Sequence, residues 1–511
     1  MTFRSILFPG APDWAARDPD GPPDFFRDLN LDQIVAAATA GKDEYNLKPF
    51  FYVPLHDSDA IAYRHEVMQA LNNPRVLSIL QAFAQSMRAM REQMAAAEKR
   101  YYTQQKERWF LDAMDLYCDA VTRLAHDLSL EEFESRGLLG LRDYLVAYTS
   151  SDRFTSLRQQ TKELKANLAS ISYCVHVDSP HFRVSHCETE SDYSADVQAT
   201  FDRFRQGTVK DYKFQFSNSP DMNNVEAIIL EFVSRLHPDI FSALRAYCAN
   251  HKASVNHTVT TFDREIQFYI SYREHMTRLE AAGLEFCYPR VVNGTKEVLN
   301  RRGFDLALAG KLVGEGVAPV CNDFHLRGCE RIIVVSGPNQ GGKTTFARTF
   351  GQLHYLASLG LPVPGREAQL FLFDRLLTHF EREEIATNLR GKLQDDLIRI
   401  HRILGQASPD SIVIMNEIFT STALHDAIAL SKRIAAKLMD LDLLCVWVTF
   451  IDELASLGEQ TVSMVSTVNP ADPAQRTYKI IRRAADGLSY AMSIAEKHRL
   501  TYGMIRERVG S

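Results

Sequence analysis

The sequence predicts a multidomain α plus α/β chain: long helices first, then an α/β domain built around a phosphate-binding loop. Three observations carry this prediction. Residues 75–136 contain no glycine or proline and are dense in Ala, Gln, Glu, Met, Arg and Leu, which favours long helices. After about Pro289, short apolar runs alternate with helical stretches, the pattern of buried parallel strands with helices between them. Directly after the first of those runs stands a glycine-rich loop, Gly337-Pro338-Asn339-Gln340-Gly341-Gly342-Lys343-Thr344. A chain of 511 residues has room for several such domains.

Taken in order, residues 1–45 open rich in Pro and Gly and then turn helical. Helix is expected through 75–136 and again around 138–170. Residues 172–217 change character: YCVHVDSP, HFRVSHCE and YKFQFSNS alternate and favour a small sheet. Helix returns from about 225 to 282, with a break at His237-Pro238. The economical arrangement is two long antiparallel helical arms with the β insertion near their tip. The strands RIIVVS (331–336), SIVIMN (411–416) and DLLCVWVT (442–449) then build the α/β domain.

Composition narrows the class. At 45% apolar and 24% charged, the chain is ordinary globular protein, neither collagen-like, low-complexity nor wholly disordered. A net charge of −6, from 58 basic and 64 acidic residues, argues against coating nucleic acid by bulk charge but leaves room for a local basic stripe. Eight scattered cysteines without a C-x-x-C pair read as free thiols in a reducing compartment. Pro9 and Asp13 cut off the apolar start, against a secretory signal, and the stretch 443–451 is too short to span a bilayer. The expectation is a cytoplasmic protein without membrane association.

The loop fits G-x-x-x-x-G-K-[ST] between a strand and a helix. Its glycines let backbone N–H groups turn toward phosphate oxygens, and the following helix points its positive end at them. Lys343 would neutralise the β- and γ-phosphates, and Thr344 would offer its hydroxyl to Mg²⁺. The second strand ends in Asn416-Glu417. A strand of this type usually carries Asp-Glu, the Asp steadying the metal and the Glu polarising the attacking water. Here Glu417 is the catalytic candidate, and Asn416 offers the metal an amide oxygen without charge.

These residues resemble the ATPase domain of the MutS mismatch-repair family. GPNQGGKTTFAR is similar to the family's G-P-N-M-G-G-K-S-T followed by an Arg. Val320-Cys321-Asn322-Asp323 resembles V-P-N-D, and Leu359-Gly360 with Val363-Pro364 resembles G-x-x-V-P. Asn416-Glu417-Ile418, Ser421-Thr422 and Asp426 follow D-E-I-G-R-G-T-S-T-x-D-G. The stretch from Leu488-Ser489-Tyr490-Ala491 to Ala495 fits S-Y-G-x-x-V-A. Phe51-Tyr52-Val53-Pro54-Leu55-His56-Asp57, with Ile61 and Arg64, resembles the start of the family's core, P-L-x-D then I-x-x-R. The resemblance is strong over about 315–500 and weaker over 46–300. It implies an N-terminal segment at 1–45, a helical core and lever at 46–300, and an ABC-type P-loop ATPase domain at 301–511. It also implies that Thr345 and Asn322 join the loop residues around ATP.

Four departures from the family pattern bear on function. No Phe-x-Glu wedge motif lies before residue 46, so a mismatch-reading domain is not expected; such a wedge is how a badly stacked step is probed. Asn416 replaces an acid. Phe450, in Val448-Thr449-Phe450, stands where the family's A-T-H places a γ-phosphate-sensing His. Asn388-Leu389-Arg390-Gly391-Lys392-Leu393-Gln394 replaces the Ser-containing segment that reaches a partner's nucleotide. Arg390-Gly391-Lys392 opening a helix at 393–404 would either press on a γ-phosphate held by a second copy or form a solvated turn.

Other groupings favour structural roles. His176, His181, His186 and Cys187 lack the paired spacing of a zinc site. Lys99, Arg100, Tyr101, Tyr102, Lys106, Arg108 and Trp109 mix cations with rings, as a nucleic-acid contact or an exposed helix does. Asp395-Asp396 and Glu381, Glu383 and Glu384 read as helix faces. The expected function is a homodimeric ATP-dependent switch of the MutS type, hydrolysing ATP slowly and moving its arms on mismatched, branched or duplex DNA. The alternatives are an ATP-gated binding protein with little hydrolysis, or an ATPase acting on RNA, ribonucleoprotein or protein.

Overall fold

The computed structural model describes residues 3–10, 21–178, 181–187, 222–381, 391–469, 471–485 and 501–509. They form two compact units. One comprises Met1–Leu77, Phe133–Gly140 and Arg264–Ser511, the other Ser78–Glu132 and Leu141–Asp263. These units cut across the expected boundaries at 46 and 301, because the N-terminal residues pack in the same unit as the glycine loop.

The smaller unit is helical. The Gly- and Pro-free run forms α4 (Pro74–Lys99) and α5 (Thr103–Ser129), divided by a turn at 100–102. The second helical block forms α6 (Arg136–Thr149) and α7 (Asp152–Ala169), and the third forms α8 (Asn224–Leu236), α9 (Pro238–His251) and α10 (His257–Glu280), of which the start of α6 and most of α10, from Arg264 on, belong to the larger unit. The break at His237-Pro238 is where the sequence places it. A second break, at 252–256, was not foreseen. Helix α5 buries Leu111, Met114, Cys118, Val121 and Leu128, a helical-period stripe that packs with α7 and α9. A buried bond of 2.6 Å between Thr161 Oγ1 and the Tyr247 hydroxyl joins those two helices. A bundle thus stands where two simple arms were expected. Of the β insertion, a hairpin is described, β1 (Tyr173–Asp178) antiparallel to β2 (His181–His186). The YKFQFSNS strand lies outside the described residues. Cys174 and Cys187, expected as free thiols, are disulfide-paired. The hairpin brings their Cα atoms to 5.4 Å, within bridging reach.

In the larger unit a six-stranded sheet runs, in spatial order, β10 (Leu376–His379), β11 (Ile412–Asn416), β12 (Leu444–Val448), β7 (Ile332–Ser336), β13 (Thr461–Asn469) and β14 (Asp472–Arg482). The first five are mutually parallel, and β14 returns antiparallel. Strands β7, β11 and β12 are buried throughout, which accounts for their unbroken apolar runs. On one face Ile332, Val334, Val413, Met415, Cys445 and Trp447 pack against α13 (Lys392–Gln406) and α14 (Leu424–Asp440). The other face meets α12 (Lys343–Ser358) so closely that a Cβ on Gly351 would lie 2.7 Å from Ile414 Cδ1. Among the described residues, no helix is long and apolar enough to cross a membrane.

Helix α12 is buried at thirteen of its positions, several of them polar. Its polar side chains bind the carbonyls of the N-terminal segment: Arg348 Nε to Asp28 O at 2.9 Å, Gln352 Nε2 to Leu29 O at 2.8 Å, and the Tyr355 hydroxyl to Phe51 O at 2.7 Å. Leu55 N donates to Ser358 O at 2.8 Å. Arg64, 1% exposed on α3 (Ser58–Ala70), donates to Leu7 O at 3.0 Å and to Leu359 O at 2.8 Å. Gly360, at φ +70°, lets Arg64 pass: a Cβ there would lie 2.6 Å from Arg64 Cβ.

Glu265 holds the other end of the N-terminal residues. Its carboxyl accepts from Ser5 Oγ and from Ile6 N, each at 2.9 Å. Burial pushes it up to about 7, against the Ile6 amide and the Ser5 hydroxyl. The folded state therefore holds this proton more tightly than the unfolded chain does. The stability it contributes is full below the ordinary carboxyl value of 4.5 and is lost as pH rises to about 7. Glu265→Gln keeps the shape and removes the titration. Urea midpoints of the variant are expected to fall less between pH 5 and pH 8 than those of the parent. Parallel pH profiles would contradict this assignment.

Candidate phosphate-binding site

The site lies at the C-terminal ends of the parallel strands, where ligands of such sheets collect. Strand β7 leads through 337–342 into α12. Gly337, Gln340 and Gly342 have φ of +112°, +59° and +90°, left-handed turns that wrap the loop. Strand β13 closes its outer side. Ser466, fully buried, donates from Oγ to Gly341 O at 2.7 Å, and a Cβ on Gly341 would lie 2.2 Å from Ser466 Oγ and 2.9 Å from Pro338 O. The amides of Lys343, Thr344 and Thr345 open α12, and first-turn amides have no carbonyl partner within a helix.

Lys343 is buried to 5% exposure, with its ammonium inside the loop. Nζ donates to Gly337 O at 3.0 Å, Pro338 O at 3.2 Å and Asn339 Oδ1 at 3.2 Å, and lies 3.6 Å from Glu417 Oε1. Burial lowers its pKa, and Glu417 opposes that shift. Phosphate oxygens would replace these neutral acceptors with charged ones, which bind an ammonium more strongly.

Thr344 Oγ1 donates to Asn416 Oδ1 at 2.9 Å, so the two residues expected to face a metal are in contact. Asn416 ends β11 and is buried. Glu417 follows at φ +51°, its amide bonded to Val448 O at 2.9 Å and its side chain 31% exposed. Eight non-glycine residues have positive φ among those described, and Gln340, Glu417, Phe419 and Tyr478 belong to this site or its borders. Strain of this kind concentrates at functional sites. A hydroxyl, an amide oxygen and one carboxylate, with phosphate oxygens and waters, suit the hard oxygen chemistry of Mg²⁺. Among the described residues no group of three His, Cys, Asp or Glu side chains converges on a metal.

Asn322 is bonded to backbone on a neighbouring strand. Its amide donates to Tyr478 O at 3.1 Å and accepts from Ile480 N at 2.8 Å, so it fastens β14 to β6 (Asn322–Leu326). Tyr478, at φ +58° and 51% exposed, is thereby held beside Gly342, whose Cβ position lies 3.8 Å from the tyrosine Cβ and Cδ1. Arg476 Nε donates to Asn339 O at 3.2 Å. Sequence reasoning missed Ser466, Arg476 and Tyr478. The alternation in TVSMVSTVN, followed by Asn469-Pro470 and a second alternating run, was the available signal.

The remaining candidates sort plainly. Phe450 is half exposed after β12 and offers no hydrogen bond. Residues 388–390 and 488–495 lie outside the described residues. Gly391 precedes α13, and Lys392 is paired with Glu381. Asp396 is no solvated helix face: it is buried, its Oδ1 3.3 Å from Nε2 of the buried His379. Arg100 lies 4.4 Å over the Trp109 ring, and the Tyr102 hydroxyl bonds Asn224 Oδ1 at 3.0 Å, so part of that cluster folds onto its own helices. Tyr101 remains 87% exposed.

Residues 333–507 match the family model of MutS domain V, and residues 56–282 match that of the MutS2 N-terminal domain. The chain is 30% identical over 186 residues to a DNA mismatch repair protein MutS of Erythrobacter litoralis, covering 36% of this chain and 21% of that one. It is 29% identical over 198 residues to an endonuclease MutS2 of Gemmatimonas aurantiaca, covering 38% and 24%. It is 28% identical over 138 residues to a DNA mismatch repair protein MSH3 of Eremothecium gossypii, covering 27% and 13%. The matches therefore span a quarter or less of these relatives.

Gly341→Ala tests the cradle. The new Cβ meets Pro338 O and Ser466 Oγ, so the loop must open. Affinity for a triphosphate is expected to fall at least about tenfold, roughly 1.4 kcal/mol, with circular dichroism unchanged. Unaltered affinity by calorimetry would mean that the phosphates bind elsewhere.

Proposed function

We propose that this chain, which belongs to the MutS family, is an ATP-dependent DNA-binding protein that hydrolyses ATP slowly. One observation carries the reading: Lys343, Thr344, Asn416 and Glu417, from two separate strand ends, meet at the mouth of the glycine loop. The loop amides and Lys343 hold the β- and γ-phosphates. Thr344 and Asn416 would hold Mg²⁺, which supplies charge neutralisation when bound. Glu417 orients the attacking water and takes its proton.

Slow turnover follows from two side chains. Asn416 brings no charge to the metal, and Phe450 brings no hydrogen bond to the γ-phosphate side. The same features support the second reading, a binding protein gated by ATP with little hydrolysis. The proposed unit is a homodimer in which residues 390–392 of one copy reach the nucleotide of the other. Lys392 would exchange Glu381 for phosphate. The proposed substrate is branched, mismatched or duplex DNA.

Lys343→Ala is expected to weaken ATP binding at least about tenfold, and unchanged affinity would be fatal to the nucleotide site. Glu417→Gln should retain binding and slow single-turnover hydrolysis by about 100-fold or more. Equal rates for parent and variant would favour the gated binding protein. Asn416→Asp, which restores the missing charge, should speed Mg²⁺-dependent turnover about tenfold. A slower variant would show that the amide is required. Affinity for duplex and junction DNA should fall steeply with salt. Binding that ignores salt, or is confined to RNA, would point away from DNA.

A further inference from the structure

Within the larger unit, a cavity of about 340 Å³ lies between α2 (Leu31–Ala38), the last turns of α10 and α11 (Leu306–Gly314). Helices α2 and α11 fall outside both stretches matched by the family models. The cavity is far from neutral in design. Ile34, Leu279 and Leu306 line it and are buried. Arg278 and Lys311 line it from exposed positions, and no acidic residue is among its walls. Among the described residues Lys311 has no ion pair.

A buried polar side chain also lines the cavity. His275 lines the cavity at 5% exposure, and its Nε2 has no hydrogen-bond partner. Burial and the nearby Arg278 push its pKa down to about 4, so the ring is neutral at physiological pH. A buried polar atom left unsatisfied costs stability unless something completes it. Gly310 opens the wall, because a Cβ there would meet nothing within 4 Å. The volume lies in the range of small-molecule sites, which pair an apolar lining with a few convergent polar groups.

We propose that this cavity binds a small amphipathic acid, an apolar chain of medium length ending in a carboxylate. The chain lies along Ile34, Leu279 and Leu306, the carboxylate pairs with Arg278 and Lys311, and the neutral ring of His275 forms part of the wall. Charge complementarity selects the acid over a neutral amphiphile of the same length.

Titration calorimetry of the full chain with decanoate and with decanol, without nucleotide, tests this independently of the ATP site. One saturable decanoate site is expected, with decanol at least tenfold weaker. Lys311→Glu, an exposed change, should weaken decanoate at least tenfold and leave decanol unaltered. Gly310→Leu, which fills open space and favours helix, should weaken both ligands together. The proposal is overturned if decanoate shows no saturable binding, if decanol binds equally well, or if Gly310→Leu with an unchanged melting temperature binds decanoate as the parent does.

Discussion

The hydrogen bonds around α12 are the constraint on which the larger unit depends. A helix that begins at a phosphate loop usually packs one face on its sheet. This one is enclosed. Arg348, Gln352, Tyr355 and the carbonyls of Ser358 and Leu359 are each bonded to a segment distant in sequence. Each of these groups would cost about 1–3 kcal/mol if left buried and unpaired. A displacement of the helix therefore cannot be absorbed locally, and the segments bonded to it must move with it or break several bonds at once.

That enclosure gives the site its mechanical meaning. The first turn of α12 faces the loop, while its far end is gripped by Arg64 on α3, and the Tyr272 hydroxyl of α10 donates to Pro362 O at 2.8 Å. Helix α3 runs on in sequence into α4, and α10 is the last of the long helices. The end of α12 and the residues after it are thus bonded to α3 and α10. Ser466 and the Asn322–Tyr478 clamp hold the loop from the opposite side, so its shape is set by β13 and β14 as well as by its own glycines.

Much of this was legible in the sequence. The strand–loop–helix order identified the loop, and the apolar runs at 331–336, 411–416 and 442–449 identified the buried parallel strands. Short scattered motifs were legible as words but not as a site. Arg64, Leu359 and Gly360 meet at one buried side chain, Leu55 bonds the adjacent Ser358, and linear spacing carries no trace of that meeting. Strands β13 and β14 escaped because their polar residues interrupt the apolar pattern, for the reason that Ser466 and Tyr478 face the loop. Asn322 read as a ligand, and its two backbone bonds to β14 could not be read from the sequence. The bundle escaped because helix length can be read from composition, whereas helix partners depend on buried faces.

If the proposed nucleotide binds the loop, these bonds should carry its effect to the far end of α12. Hydrogen exchange of the full chain with and without ATP and Mg²⁺ measures it most directly. Slower exchange is predicted at 337–346 and, in the same experiment, at residues 5–8, 55–64 and 355–361. Protection confined to 337–346, with the distant segments unchanged, would contradict the account.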